Sequence, residues 1–191
     1  SVYLAPYAER YTTATQLDRE AALIAAALRR EAPRLDETRA AALVGMSVEE
    51  AEQAALRGEA APESEERRPF QDQADALVGI LTSGRSVDVL IGAAGTGKSF
   101  TVSRLAEIWR AEHGTPALGL ATSQNAAVVL KREGLDHAMN IERWLTKVAA
   151  GEERLTPGQL IVVDEASMVT TDHLVRIQRL ADEAGCKVVW T

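Results

Sequence analysis

The chain has a single cysteine, Cys186, which leaves no intrachain disulfide and no multi-cysteine metal site to build. Its apolar setting, Gly185-Cys-Lys-Val-Val-Trp190, reads as that of a buried, inert thiol. Histidine is almost as scarce: His113, His137 and His173 are scattered without HxH or HExxH spacing, so a histidine-built metal centre is not expected. No apolar run approaches the length that spans a bilayer, so no membrane segment is expected. The opening Ser1-Val-Tyr-Leu-Ala-Pro6 lacks the basic, apolar and small-residue order of a signal peptide; the expected location is cytoplasmic. A positive charge balance is also missing. The net charge of −7 argues against gripping nucleic acid by bulk electrostatics and leaves only a local groove for such a partner. What remains is a 191-residue chain, 46% hydrophobic, enough for one core of ordinary size plus an appendage; disorder throughout is excluded.

The most informative stretch is Gly92-Ala-Ala-Gly-Thr-Gly-Lys-Ser99, which fits the phosphate-loop pattern G-x-x-x-x-G-K-[ST] and follows the apolar run Val87-Asp-Val-Leu-Ile91. Consecutive backbone N–H groups wrap a polyphosphate only where side chains do not block the approach, which accounts for Gly92, Gly95 and Gly97. Lys98 then supplies a point charge to the β- and γ-phosphates, and the Ser99 hydroxyl ligates Mg²⁺. Ala93, Ala94 and Thr96 complete the loop, and Phe100 opens the following helix within reach of the same nucleotide. Downstream, Leu160-Ile-Val-Val-Asp-Glu-Ala-Ser-Met168 puts two carboxylates at the C-terminal end of a buried strand, where ligands of α/β sheets bind. Asp164 is placed to hold Mg²⁺ through water beside Ser99, and Glu165 to orient or deprotonate a water that attacks the γ-phosphate. Alone, such a pair could equally cap a helix. Following a phosphate loop, it reads as a Walker B site, with ATP or GTP hydrolysis as its chemistry.

Around these motifs the pattern alternates: helix near 70–83, strand 87–91, helix 98–112, strand 116–121, helices 124–133 and 141–149, strand 159–164, helix 171–184, strand 187–191. Strands apolar at every residue, such as Leu160–Val163, are covered on both faces and hence parallel. The expected architecture is a doubly wound α/β sheet. Upstream, residues 12–57 read as small alanine-rich helices: one opening on the capping box Thr13-Ala-Thr-Gln16 and ended by Pro33, one starting at Asp36, and one at Ser47-Val-Glu-Glu50. Residues 58–68, charged and without a large apolar side chain, read as a solvated linker. The expected division is therefore a helical module over 1–57, the linker, and a nucleotide-binding domain over 69–191.

Two further features stay open on chemistry alone. Gln73, at the start of the helix before the phosphate loop, has an amide that suits the N6 and N7 edge of adenine, but a surface polar group is the plainer reading. The turn Thr122-Ser123-Gln124, between a strand and a helix, either caps that helix or presents hydroxyls and N–H groups to a nucleic-acid phosphate.

The set Phe70-Gln-Asp-Gln73, Gly92–Ser99, Gly119-Leu-Ala-Thr-Ser-Gln-Asn-Ala-Ala127, Arg143-Trp-Leu145 and Val162-Val-Asp-Glu-Ala-Ser-Met168 resembles superfamily 1 DNA helicases of the RecD-like kind, in particular the helicase part of conjugative relaxase/helicases of the TraA or MobF type. Even Arg10-Tyr-Thr-Thr-Ala-Thr-Gln-Leu-Asp-Arg-Glu20 looks like the segment that precedes the helicase there. The resemblance implies a RecA-like P-loop NTPase fold, ATP and Mg²⁺ as cofactors, adenine reading by Gln73, and contact of Thr122, Ser123 and Gln124 with a single-strand backbone. It implies, too, that strand 187–191 is inserted between the phosphate-loop strand and the Asp164 strand. The segment Asn140-Ile-Glu-Arg-Trp144 departs from the family's pattern, and the relaxase histidines are missing. At Val188-Val-Trp-Thr191 the family continues with Gly-Asp-x-x-Gln, so a fragment of a larger machine is expected, completed by a second RecA-like domain, its arginine finger and a relaxase domain. Such a fragment should bind nucleotide and hydrolyse it feebly, because loss of an arginine finger costs roughly three to five orders of magnitude in rate. The rival expectation is a P-loop switch or adaptor acting on a protein partner.

Overall fold

The computed structural model describes residues 13–45, 71–92 and 97–191. The expected helix at Ser47, the linker 58–68 and the loop residues Ala93, Ala94, Gly95 and Thr96 lie outside these. In chain order the elements are α1 (Ala14–Leu28), α2 (Glu37–Val44), α3 (Gln71–Thr82), β1 (Val87–Val89), α4 (Lys98–His113), β2 (Leu118–Ala121), α5 (Gln124–Arg132), β3 (His137–Asn140), α6 (Ile141–Ala149), β4 (Leu160–Val163), α7 (Thr171–Glu183) and β5 (Lys187–Trp190). A single 3₁₀ turn, Ala166–Met168, joins β4 to α7.

The five strands form one parallel sheet in the order β1-β5-β4-β2-β3, so β5 does lie between the phosphate-loop strand and the Asp164 strand. Alternation along β4 explains why every residue there is apolar. Leu160 and Val162 belong to the core with Leu77, Leu81, Leu105 and Trp109 of α3 and α4, while Ile161 and Val163 belong to the opposite core with Trp144, Leu145 and Ile177 of α6 and α7. Both faces are thus shielded by helices, as parallel pairing requires. This is a RecA-like α/β arrangement, and it brings the C-terminal ends of all five strands to one rim.

The N-terminal helices divide between the two faces. Ala26 of α1 is fully buried in the α6–α7 core, and Ala40, Leu43 and Val44 of α2 are buried in the α3–α4 core. Thr13 caps α1 by accepting the Gln16 N–H at 3.1 Å, the first half of the expected capping box, while the Gln16 amide donates to Glu20 and Thr171 at 2.9 Å each. Asp36 caps α2 by accepting from Arg39 at 2.9 Å. Helix α1 stops at Leu28, short of Pro33, and the reason lies at the sheet edge. There the Arg29 carbonyl accepts the Ser86 N–H at 3.1 Å, and the Ala32 N–H donates to Gly84 at 3.1 Å. These bonds to the loop before β1 hold residues that would otherwise have continued the helix.

Strand β3 is an addition to the sequence reading. It pairs with β2 from Leu118↔His137 to Ala121↔Asn140, and Gly119 stands opposite Ala138. A Cβ at Gly119 would lie 2.8 Å from Leu135 Cδ2 and 3.0 Å from Ala138 Cβ. Gly119→Ala is therefore expected to destabilise the fold by about 1–3 kcal/mol through overpacking, read as a lower urea midpoint with unchanged slope.

A buried ion pair fixes β1 against β5. Lys187 is fully buried; its Nζ donates to Asp88 Oδ2 at 2.6 Å, Ser83 Oγ at 2.9 Å and the Arg85 carbonyl at 3.1 Å. Burial pushes this ammonium down from its ordinary value, and the Asp88 bond pulls it back up. With three acceptors satisfying three N–H groups, the strand that enters the phosphate loop and the strand that leads to Thr191 are pinned in register. Cys186, 2% exposed, has its thiol pushed up chiefly by the same burial, matching the inert role expected of it.

Candidate nucleotide site at the C-terminal rim of the sheet

Because every strand is parallel, Lys98 after β1, Thr122 after β2, Asp164 after β4 and Thr191 after β5 all emerge at the same rim. Lys98 is the first residue of α4, and Gly97 precedes it with φ 79° and ψ 26°. That left-handed conformation favours glycine. A side chain at Gly97 would also run into the amide of Gln73. Helix α4 has no side-chain cap and no acidic residue in its first turn, so its opening N–H groups and Lys98 present positive potential at one end. Ser99 and Phe100 follow in that turn, both exposed. Gln73, in the first turn of α3, is 9% exposed and lies against Gly97, so it is no surface polar group.

The acid end is held by three strands. The Asp164 N–H donates to the Leu120 carbonyl at 2.9 Å, and the Asp164 Oδ1 accepts the Thr191 hydroxyl at 2.9 Å. Glu165 is exposed and has φ 49° and ψ 47°; it is the one non-glycine residue with positive φ among those described. Such a backbone costs on the order of 1–3 kcal/mol and persists only when its neighbours determine it. Here the next residue, Ala166, donates its N–H to the Thr191 carbonyl at 2.9 Å, and Met168 donates to the Glu165 carbonyl at 2.8 Å. Glu165 is thereby turned out to solvent at the rim while the flanking residues stay fixed.

A cavity of about 410 Å³ opens between the two ends, bordered by Gly92 and Lys98 on one side and by Ala166, Ser167, Trp190 and Thr191 on the other. Asp164 does not line it and meets it only through Thr191. Among the described residues no three His, Cys, Asp or Glu side chains gather as a metal cluster. A cation at this rim would thus take most of its oxygens from phosphate and water, with Ser99 and Asp164 as the protein's share. That is the habit of Mg²⁺ bound with a nucleotide, and the donor set fits it.

Ser123 caps α5 by accepting the Ala126 N–H at 3.1 Å, one of the two readings of its turn, which accounts for that hydroxyl locally, while Thr122 and Gln124 are exposed. Two residues around the rim, Asn140 and Thr191, were not foreseen. Asn140 both caps α6, accepting from Arg143 at 3.1 Å, and donates its amide to the Thr122 carbonyl at 2.9 Å, so it joins the turn after β2 to the helix after β3. Its one sequence signal is an Asn three residues before Arg143 at a helix start; the bond to Thr122 depends on β3, which was not expected. Thr191 was missed for a similar reason: its partner stands 27 residues away.

Glycines before α4, an uncapped helix with Lys98 at its head, and paired acids just after a parallel strand one place removed in the sheet define a P-loop domain with RecA-like topology. Residues 70–191 match the family described as an AAA domain, and the chain belongs to that family. It is similar to the probable conjugal transfer protein TraA of Sinorhizobium fredii (strain NBRC 101917 / NGR234), 26% identical over 120 residues, which make up 63% of this chain and 11% of that protein. The chain thus spans about a tenth of the length of this relative. Family and relative agree with the resemblance to superfamily 1, RecD-like helicase motor domains. No helix among the described residues is long and apolar enough to cross a membrane.

Proposed function

We propose that this chain is the ATP-binding first motor domain, within residues 69–191, of an ATP-dependent DNA helicase or translocase that belongs to a conjugative relaxase/helicase. The observation that carries this reading is the meeting of Lys98 and Thr191 on one cavity, with Thr191 bonded to Asp164. In it the backbone of Gly92, Ala93, Ala94, Gly95, Thr96 and Gly97 wraps the phosphates, Lys98 faces the β- and γ-phosphates, and Phe100 borders the nucleotide. Ser99 and, through water, Asp164 hold Mg²⁺, which when bound neutralises charge on the β- and γ-oxygens. Glu165 orients the attacking water and accepts its proton, a role that suits an exposed carboxylate on a fixed backbone. Gln73, buried against Gly97, reads adenine with its amide.

Thr122, Ser123 and Gln124 carry the proposed contact with a single-stranded DNA backbone, supported by their place at the same rim as the nucleotide. With a net charge of −7 the grip on DNA has to be local, and a second RecA-like domain completes both the groove and the charge stabilisation of the transition state. A relaxase domain of the full-length protein is a further partner in this reading.

One observation favours the alternative, a nucleotide-governed switch acting on a protein. Leu17, Ile24 and Leu28 form an apolar stripe on the outer side of α1 and are 53%, 63% and 77% exposed. ATP hydrolysis measured with and without single-stranded DNA, in a protein carrying this segment and a second motor domain, decides between them. Strong stimulation is expected for the motor. An unchanged rate would favour the switch.

A further inference from the structure

We infer that Thr191 is a positioning residue for the acid pair, fixing Asp164 for the cation through its hydroxyl and fixing the turn at Glu165 through its carbonyl. The inference rests on the nucleotide-site reading and deepens it. Thr191 makes three bonds at the tip of β5: its N–H donates to the Val163 carbonyl at 3.0 Å, its Oγ1 donates to Asp164 Oδ1 at 2.9 Å, and its carbonyl accepts the Ala166 N–H at 2.9 Å. Those partners are the residue before the acid pair, its first member and the residue after its second. Thr191 also borders the cavity that Lys98 borders.

The chemistry follows from which group donates. A carboxylate can only accept, and the Thr191 hydroxyl is a donor, so the bond holds the Asp164 carboxylate in one rotamer. One oxygen is then engaged by protein and the other is left for water in a cation's coordination shell. A carboxylate bonded in this way approaches a hydrated Mg²⁺ without first losing rotamer freedom, whereas a free one has to be ordered by the ion itself. The pin formed by Lys187 and Asp88 contributes at a distance, since it sets the register of the strand that delivers Thr191.

The test separates the hydroxyl from the strand. Thr191→Val keeps the shape and both backbone bonds but removes the donor; Thr191→Ser restores it. ATP affinity is measured by calorimetry in saturating Mg²⁺ and in EDTA, with thermal unfolding as the check on folding. The gain in affinity that Mg²⁺ confers should fall about tenfold in Thr191→Val, the low end for one lost hydrogen bond to a charged group, and recover in Thr191→Ser. In EDTA all three proteins should bind ATP alike. An undiminished Mg²⁺ gain in the valine variant, or an equal loss with and without Mg²⁺, would overturn the inference and leave Thr191 as a strand terminus. Absence of nucleotide binding by the unaltered protein would instead bring down the site reading, and this inference with it.

Discussion

Lys98→Ala should bind ATP roughly 30- to 1,000-fold more weakly than the unaltered protein in the presence of Mg²⁺. The side chain is the head of α4, and the ammonium is proposed to make charge-assisted bonds to two phosphates. Each such bond is worth about 1.5–3 kcal/mol, so a loss of about 2–4 kcal/mol is a conservative sum for a partly exposed group, and it converts to the stated range. The substitution should leave folding alone. Lys98 is not part of either core, and alanine is a better helix former at the same position. Calorimetric titration and an unfolding curve on the same preparation read both quantities. Equal ATP affinity with an intact fold would mean that the phosphates lie elsewhere.

Glu165→Gln should give the opposite division between binding and turnover. The exposed carboxylate is proposed to act on water and not on the nucleotide, so ATP affinity should change less than about twofold, within the reach of a weak surface interaction. Steady-state hydrolysis, measured with single-stranded DNA in a protein that includes the second motor domain, should fall by roughly 10²- to 10⁴-fold, the usual contribution of a positioned general base. Glutamine preserves size and tolerates the backbone that the Thr191 and Ala166 bond imposes on this turn. A variant that keeps its rate would remove Glu165 from the chemistry. One that loses ATP binding in parallel would make it a structural residue.

Much of this site was legible because its chemistry is local in sequence. The phosphate-loop pattern and the Asp-Glu pair each occupy fewer than ten consecutive residues, and both follow strands whose apolar runs need no partner to be recognised. Leu160–Val163 was readable as a buried parallel strand since each face of it meets a different core. The position of β5 was a different matter. Periodicity says nothing about strand order, and it was the resemblance to RecD-like helicases that placed this strand beside β4.

What escaped was non-local. His137-Ala-Met-Asn140 has no β-branched residue, and only its pairing with β2 makes it a strand. The end of α1 at Leu28 depends on bonds to a loop more than 50 residues later, which compete with helix continuation and win. Asp88 and Lys187 each look like a blemish in an apolar strand until the sheet brings them to 2.6 Å, where they become one buried pair. Gln73 could be read either way from sequence, for burial against Gly97 requires knowing how α3 meets α4.

The central claim is that one triphosphate and one cation sit among Lys98, Ser99, Asp164 and Glu165. Anomalous scattering from Mn²⁺, in crystals grown with a non-hydrolysable ATP analogue, tests it most directly. The expected result is a single manganese peak beside the β- and γ-phosphates, in coordination reach of the Ser99 hydroxyl and one water away from the Asp164 carboxylate. An ordered nucleotide bound away from the Lys98 end of α4, or manganese remote from both Ser99 and Asp164, would contradict it.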